Sequence, residues 1–141
     1  MSEHALLLSL RRCLAVSLNG LGRYTEAAAL LRDLQPEGPL GVVSVRTYLA
    51  AAQLGLGDLG EAETGAREAV EEGGRLLGPA HNLTLTAGTL LGTALARQGK
   101  LDEARRQLRE NAAAWAEHFG DAHPKTTAAR TELALLNGDT K

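Results

Sequence analysis

"LARQGKLDEA", residues 95–104, places one glycine between two strongly helical stretches, with Glu-Ala a few residues behind it. A helix ends readily on glycine, which reaches left-handed backbone angles at little steric cost, and a carboxylate in the first turn of the next helix favours the positive end of its dipole. The stretch therefore reads as a tight turn between two helices. The same device recurs in "LNGLGRYTEA" at 18–27 and "QLGLGDLGEA" at 53–62. The shared glycines, Gly22, Gly57 and Gly99, are spaced by 35 and 42 residues. The two spacings differ by about two helical turns at roughly 3.6 residues per turn, so the longer helix keeps the same face inward. A second marker, "LGPAHNLT" at 77–84 and "FGDAHPKT" at 119–126, repeats with the 42-residue period. A fixed period in this range means stacked structural repeats.

Each repeat reads as helix, tight turn, helix. Glu26, Glu61 and Glu103 fall in the first turns of the second helices, and Ala27, Ala62 and Ala104 behind them are small enough to let the two helices of a pair approach closely. In the second marker, Pro124 suits a first helical turn and His123 before it takes a capping position. His81 stands at the same point of the preceding repeat, which argues for capping or turn packing rather than catalysis. Seven helices are expected, over 4–20, 23–34, 41–55, 58–76, 82–98, 101–118 and 124–137. Apolar residues recur at helical spacing within them, as in Leu90, Leu91, Ala94 and Leu95, then Leu101, Ala104 and Leu108. "LQPEGPLG", 34–41, reads as an inter-repeat loop, too short for a flexible linker. The fold class is all-α: a short right-handed α-solenoid of about three helix-turn-helix repeats (4–34, 41–76, 82–118) with a C-terminal capping helix (124–137), forming one domain over 1–141.

Composition agrees with that class. A chain of about 150 residues buries roughly 70% of its unfolded surface, enough for one domain with a real core. The apolar share is 44%, mostly Leu and Ala, with one Trp, two Tyr and one Phe, a composition poor in strand formers. A net charge of −2, from 15 basic and 17 acidic residues interspersed, creates no field that favours nucleic acid or an anionic membrane. The lone Cys13 leaves no disulfide framework and no zinc cluster, is read as a small buried hydrophobe, and fits a reducing cytoplasm. The apolar run near the start is interrupted by Arg11 and Arg12 well short of spanning length, so neither a signal peptide nor a transmembrane helix is expected.

With these residues in place, the sequence resembles the tetratricopeptide repeats (TPR), specifically the longer variety found in kinesin light chains and in many bacterial proteins. The small and large consensus positions are met by Leu14 with Ala15, Leu49 with Ala50 and Leu91 with Gly92, and by Ala27, Ala62 and Ala104. "GDAHPKT" matches the kinesin-light-chain type, whereas "GPAHNLT" carries Asn82 where proline is usual. The resemblance implies a protein-protein interaction scaffold whose concave face, lined by the first helix of each pair, binds a peptide or partner helix. Aligned on the three glycines, that face would hold Ser9, Arg12, Val16 and Asn19, then Ser44, Thr47, Ala51 and Leu54, then Thr86, Thr89, Thr93 and Arg97. Ala128 and Thr131 would extend it. The family's chaperone-binding members clamp a C-terminal carboxylate with Lys, Asn and Arg; here Val16, Ala51, Thr86 and Leu90 occupy corresponding places beside Arg12, so chaperone tails are not expected. Serines and threonines on a helix surface are also common without a ligand, and Arg12 and Arg97 serve equally as solvated cations with their stems on apolar neighbours.

No nucleophile with a base, paired carboxylates, phosphate loop or metal constellation stands out, and "EAVEEGG", 68–74, reads as a solvated helix face. No catalysis, cofactor or metal is expected. Trp115 and Phe119 are read as packing on the final helix rather than as a partner hot spot. The first helix is apolar over a broad arc, with Leu6, Leu7, Leu10, Leu14 and Leu18 on one side and Leu8 and Val16 outside it; the last carries Leu133, Leu135 and Leu136. A terminal repeat needs a polar outer face for solubility, so the terminal helices are candidates for homo-oligomer contacts or for a covering domain. Three functions stay open: a stand-alone scaffold, a regulatory or sensor module of a larger signalling ATPase or transcription regulator, and a self-assembling structural module.

Overall fold

The computed structural model describes residues 3–138; the outermost residues of the domain expected over 1–141 lie outside the described ones. Seven helices follow one another: α1 (Glu3–Gly20), α2 (Tyr24–Asp33), α3 (Gly38–Leu56), α4 (Leu59–Leu76), α5 (Asn82–Arg97), α6 (Leu101–Phe119) and α7 (Pro124–Leu136). Among the described residues there is no strand. The largest departure from the sequence reading is at α3, which starts at Gly38 rather than residue 41 because Pro39 sits within its first turn, where a missing N–H costs nothing. The inter-repeat loop shrinks accordingly to 34–37.

The turns within repeats are built alike. Gly22, Gly57 and Gly99 have φ of +78°, +83° and +83°. The residue after each donates its N–H five positions back, Arg23 to Leu18 at 2.8 Å, Asp58 to Gln53 at 2.9 Å and Lys100 to Leu95 at 3.0 Å, which closes the helix end in a Schellman-type motif. The turns between repeats share a different device. His81 Nδ1 accepts the Leu83 N–H at 3.1 Å, while Thr84 Oγ1 donates to the Gly78 carbonyl at 2.9 Å. His123 and Thr126 repeat the pair, on the Lys125 N–H at 3.1 Å and the Gly120 carbonyl at 2.8 Å. The recurring Gly, His and Thr of the second marker are thus one interlocked cap.

Packing follows chain order. Each helix packs on the next, and α1 also touches α3, α3 touches α5 and α5 touches α7, while no such contact joins α2, α4 and α6. Closer approach on one side bends the stack toward the first helices, so α1, α3, α5 and α7 line its concave side. Ala27, Ala62 and Ala104 are buried as expected. Between α5 and α6 the approach is tighter than alanine would allow: a Cβ on Gly92 would lie 2.5 Å from Leu108. Trp115 is fully buried against Leu85 of α5 and Ala129 of α7, so it packs on the final helix as read from sequence.

Two sequence readings of α1 are overturned. Cys13 is exposed, not buried. Leu18 leaves the apolar arc and is buried with Ala27, Ala28 and Ala52, and Leu8 turns inward against Ala15, Leu31, Leu34 and Val45. Leu6, Leu7, Leu10 and Leu14 form the outward face instead. The cause is that α1 has partners on one side only, α2 and α3, which select the face they cover.

Candidate functional site

The concave side holds an open cleft of about 580 Å³ where α1, α3 and the start of α5 converge. Ser9, Arg12, Cys13 and Val16 of α1 form one wall, and Leu40, Ser44 and Tyr48 of α3 form the floor. His81, Asn82 and Leu83, at the N-terminus of α5, close the far side. A smaller hollow of about 190 Å³ adjoins it, where Leu8 and Arg12 meet Leu34, Pro36 and Glu37 of the α2–α3 connection. No carboxylate lines the main cleft, and the Arg12 guanidinium makes one long bond there, to Ser9 Oγ at 3.4 Å. Burial pushes the Tyr48 phenol up, with the Arg12 cation opposing and Cys13 adding to the rise. The cleft is therefore apolar at its base, hydroxyl-bearing, and carries one cation without a carboxylate partner among the described residues.

Of the twelve residues that the glycine alignment assigned to this face, Ser9, Arg12, Val16 and Ser44 line the cleft. Ala51 and Thr86 are half-buried on the same side of their helices. Others are committed elsewhere. Thr47 is fully buried and returns its hydroxyl to the Val43 carbonyl at 2.7 Å. Thr89 accepts the Asn111 side chain at 2.8 Å and the Trp115 indole N–H at 3.4 Å, so it faces α6 of its own repeat. Asn19 donates to the Tyr48 carbonyl at 3.1 Å and Arg97 to the Leu54 carbonyl at 3.4 Å; both tie neighbouring first helices together. Leu54 and Thr93 are buried. The physical correction is one of register: Thr47 and Thr89, which align with Arg12, are engaged within the helix packing, whereas Arg12, with no helix pair before it, and the next residues on, Cys13 and Tyr48, line the cleft. Cys13 and Tyr48 fall outside the aligned set because the helical pattern alone does not tell a side chain enclosed within the helix packing from one that faces a groove. Spacing held the signal, since both residues stand at the same distance before Gly22 and Gly57.

Among the described residues no group of His, Cys, Asp and Glu side chains is arranged to hold a metal ion, and no helix is long and apolar enough to cross a membrane. Two groups of charged pairs lie instead between α3, α4 and α6: Arg46 with Glu68 and Glu72, both at 2.8 Å, and Arg67 between Glu63 and Glu103.

This architecture of paired helices agrees with the sequence profiles it matches. Residues 84–125 match one profile of the tetratricopeptide repeat, and residues 8–33 and 43–69 match another, together more than half of the chain. The chain belongs to the tetratricopeptide-repeat family. Its TPR fold is similar to the kinesin-light-chain TPR-like repeats of Podosopora anserina, with a TM-score of 0.78 and 26% identity over 97% of this chain and 70% of that one. A single-substitution form of that protein gives a TM-score of 0.77 at 26% identity, over 98% of this chain and 70% of that chain. BtubC (BKLC) of P. vanneervenii shares the fold at 15% identity, with a TM-score of 0.67 over 96% of this chain and 54% of that chain. Among curated proteins none matches the sequence. TPR arrays of this kind generally mediate protein-protein interaction and are typically non-enzymatic.

Proposed function

We propose that this TPR protein is a non-catalytic scaffold that binds an extended segment of a partner protein in the concave cleft between α1, α3 and the start of α5. The observation that carries this reading is the contrast in how charge is used. On the outer side Arg46 and Arg67 are each held by two carboxylates, whereas Arg12, half-buried at the cleft wall, has none. A guanidinium kept beside apolar Val16, Leu40 and Leu83 suits a segment that presents an apolar side chain next to a carboxylate, since a charge-assisted bond gains strength where water is partly excluded. The hydroxyls of Ser9 and Tyr48 add orientation. The contact set is then Ser9, Arg12, Cys13, Val16, Ser44 and Tyr48, which replaces the broader set assigned by alignment.

The test is site-specific photo-crosslinking in a native lysate, with a benzophenone amino acid at Val16 in the cleft or at Thr64 on exposed α4. A protein adduct from position 16, absent from position 64 and abolished by Arg12→Glu, is the expected result. Adducts from position 64 alone would reject the cleft as the binding surface.

A further inference from the structure

The hollow beside the cleft, about 190 Å³ in volume, is a place that the later repeats fill and the first leaves open. In the third repeat Trp115 of α6 is fully buried against Leu85 of α5 and Ala129 of α7, and its indole N–H faces Thr89 Oγ1 of α5 at 3.4 Å. Shifted back by two repeats, Leu85 and Thr89 become Leu8 and Arg12 of α1, and Ala129 becomes Val45 of α3. All three line the hollow. In the second repeat the residue that corresponds to Trp115 is Gly73 of α4, and close approach does the filling there: a Cβ on Gly73 would lie 2.6 Å from Thr84 Oγ1. The first repeat has no corresponding residue. Counted from the turn glycines, α2 ends at Asp33 where α4 continues for about two turns more, to Leu76, and the chain turns away through Leu34 and Pro36 instead.

The walls set the chemistry of what enters. Leu8, Leu34, Pro36, Leu40 and Val45 are aliphatic, and Arg12 replaces the threonine that receives the indole N–H in the third repeat. A guanidinium has donors only. The acceptors at the rim are already engaged, Ser9 Oγ by Arg12 at 3.4 Å and Glu37 by His4 Nε2 at 3.3 Å. A ring with its own N–H or O–H would leave that donor without a partner, at a cost, whereas a side chain of carbon and hydrogen alone meets every wall. Ser9, Arg12 and Leu40 also line the main cleft, so a group seated in the hollow continues across Arg12 into it. We infer that, on the reading of the cleft as the binding surface, the hollow is its specificity pocket: it takes one leucine, isoleucine or phenylalanine side chain of the bound segment, and an aspartate or glutamate next to that residue meets Arg12.

The cleft runs on past Arg12 to Val16 and Leu83, a volume of about 580 Å³, so the carboxylate that meets Arg12 lies on a side chain within the segment and not at the end of its chain. The hollow can be closed without moving the backbone. Gly41, near the start of α3, lines the hollow but not the cleft, and a Cβ there would meet nothing nearer than Pro36 Cβ at 3.7 Å, an ordinary contact. Leucine in place of this glycine also favours the helix.

The experiment is an NMR titration of protein labelled at its leucine and valine methyls, with acetyl-Leu-Asp-amide and acetyl-Asp-Leu-amide, which between them present both chain directions. The expected result is a saturable shift of the Leu8, Leu34 and Val45 methyls with at least one of the two. Binding should weaken about tenfold when glycine replaces the leucine of the tighter peptide, the hydrocarbon contact being lost. It should also weaken when tryptophan replaces that leucine. In Gly41→Leu the shifts should vanish while helicity, checked by circular dichroism, is unchanged; should that variant lose helicity, the wild-type peptide series decides alone. Shifts confined to Val16 and Leu83 would overturn the pocket and leave the cleft standing. Shifts that persist in folded Gly41→Leu, a glycine peptide that binds as tightly, a tryptophan peptide that binds more tightly, or no shift with any peptide would overturn it as well, whereas the cleft itself stands or falls on the crosslink from position 16.

Discussion

His123 caps α7 with a ring nitrogen, where a hydroxyl or carboxylate is usual, and His81 does the same for α5. Each cap satisfies one backbone N–H that the helix cannot pair for itself, while the threonine three residues on satisfies a carbonyl of the turn before it. His123→Ala is expected to lower stability by about 1 kcal/mol, and His123→Asn to retain most of it, since asparagine offers an acceptor at the same place. Urea unfolding followed by circular dichroism measures both; equal losses from Ala and Asn would show that ring packing, through the Trp115 and His123 stack at 5.8 Å, matters more than the cap. The capping role was legible in the sequence from the repeated position of the histidine. The roles of Thr47 and Thr89 were not, because a threonine that bonds to a carbonyl of its own helix and one that faces a groove have the same spacing.

Among elements, α4 and α6 do not pack on each other, yet their side chains meet through one charged network. Glu63 of α4 accepts from Lys100 Nζ and from Gln98 Nε2, both at 2.8 Å, and from Arg67 at 3.1 Å, and Arg67 continues to Glu103 of α6 at 3.0 Å. The Lys100 hydrogen bond, followed by that of Gln98, holds the Glu63 carboxyl down at about 2 from an ordinary 4.5. A carboxyl whose folded value lies below its unfolded one stabilises the fold in full above the unfolded value and loses that contribution as pH falls toward the folded one. Glu63→Gln should therefore cost on the order of 1 kcal/mol near neutral pH, a small amount because Lys100 and Arg67 are solvent-screened. The difference from wild type should shrink between pH 4.5 and about 2, as read by thermal unfolding across that range. A difference that is constant with pH would mean the glutamate acts through packing alone. None of this was visible beforehand, since Glu63, Lys100 and Glu103 are brought together only by the way one repeat sits on the next.

At the scale of the whole molecule, stability is a matter of neighbours, because each helix pair contacts only the pairs beside it. Helix α5 is enclosed by α3, α4, α6 and α7, whereas α1 has α2 and α3 alone. Amide exchange measured by mass spectrometry should show the slowest exchange in α5 and the fastest in α1. Uniform protection along the chain would instead mark a single all-or-none unit.

What the sequence by itself determined is the order of elements and the places where the chain turns. Gly22, Gly57 and Gly99 require positive φ, and a fixed period of such turns between helix-forming stretches admits little besides a stack of helix pairs. Those are local properties, written in residues close together in the chain. What only the tertiary structure decided is which side of each helix remains free. An apolar or hydroxyl side chain is compatible with either a core or a surface, and the choice depends on which helices lie alongside: Leu8 is covered and Leu10 is not, Thr47 is sealed within its repeat and Tyr48, its neighbour, opens into the cleft. Contacts between residues a full repeat apart carry that information.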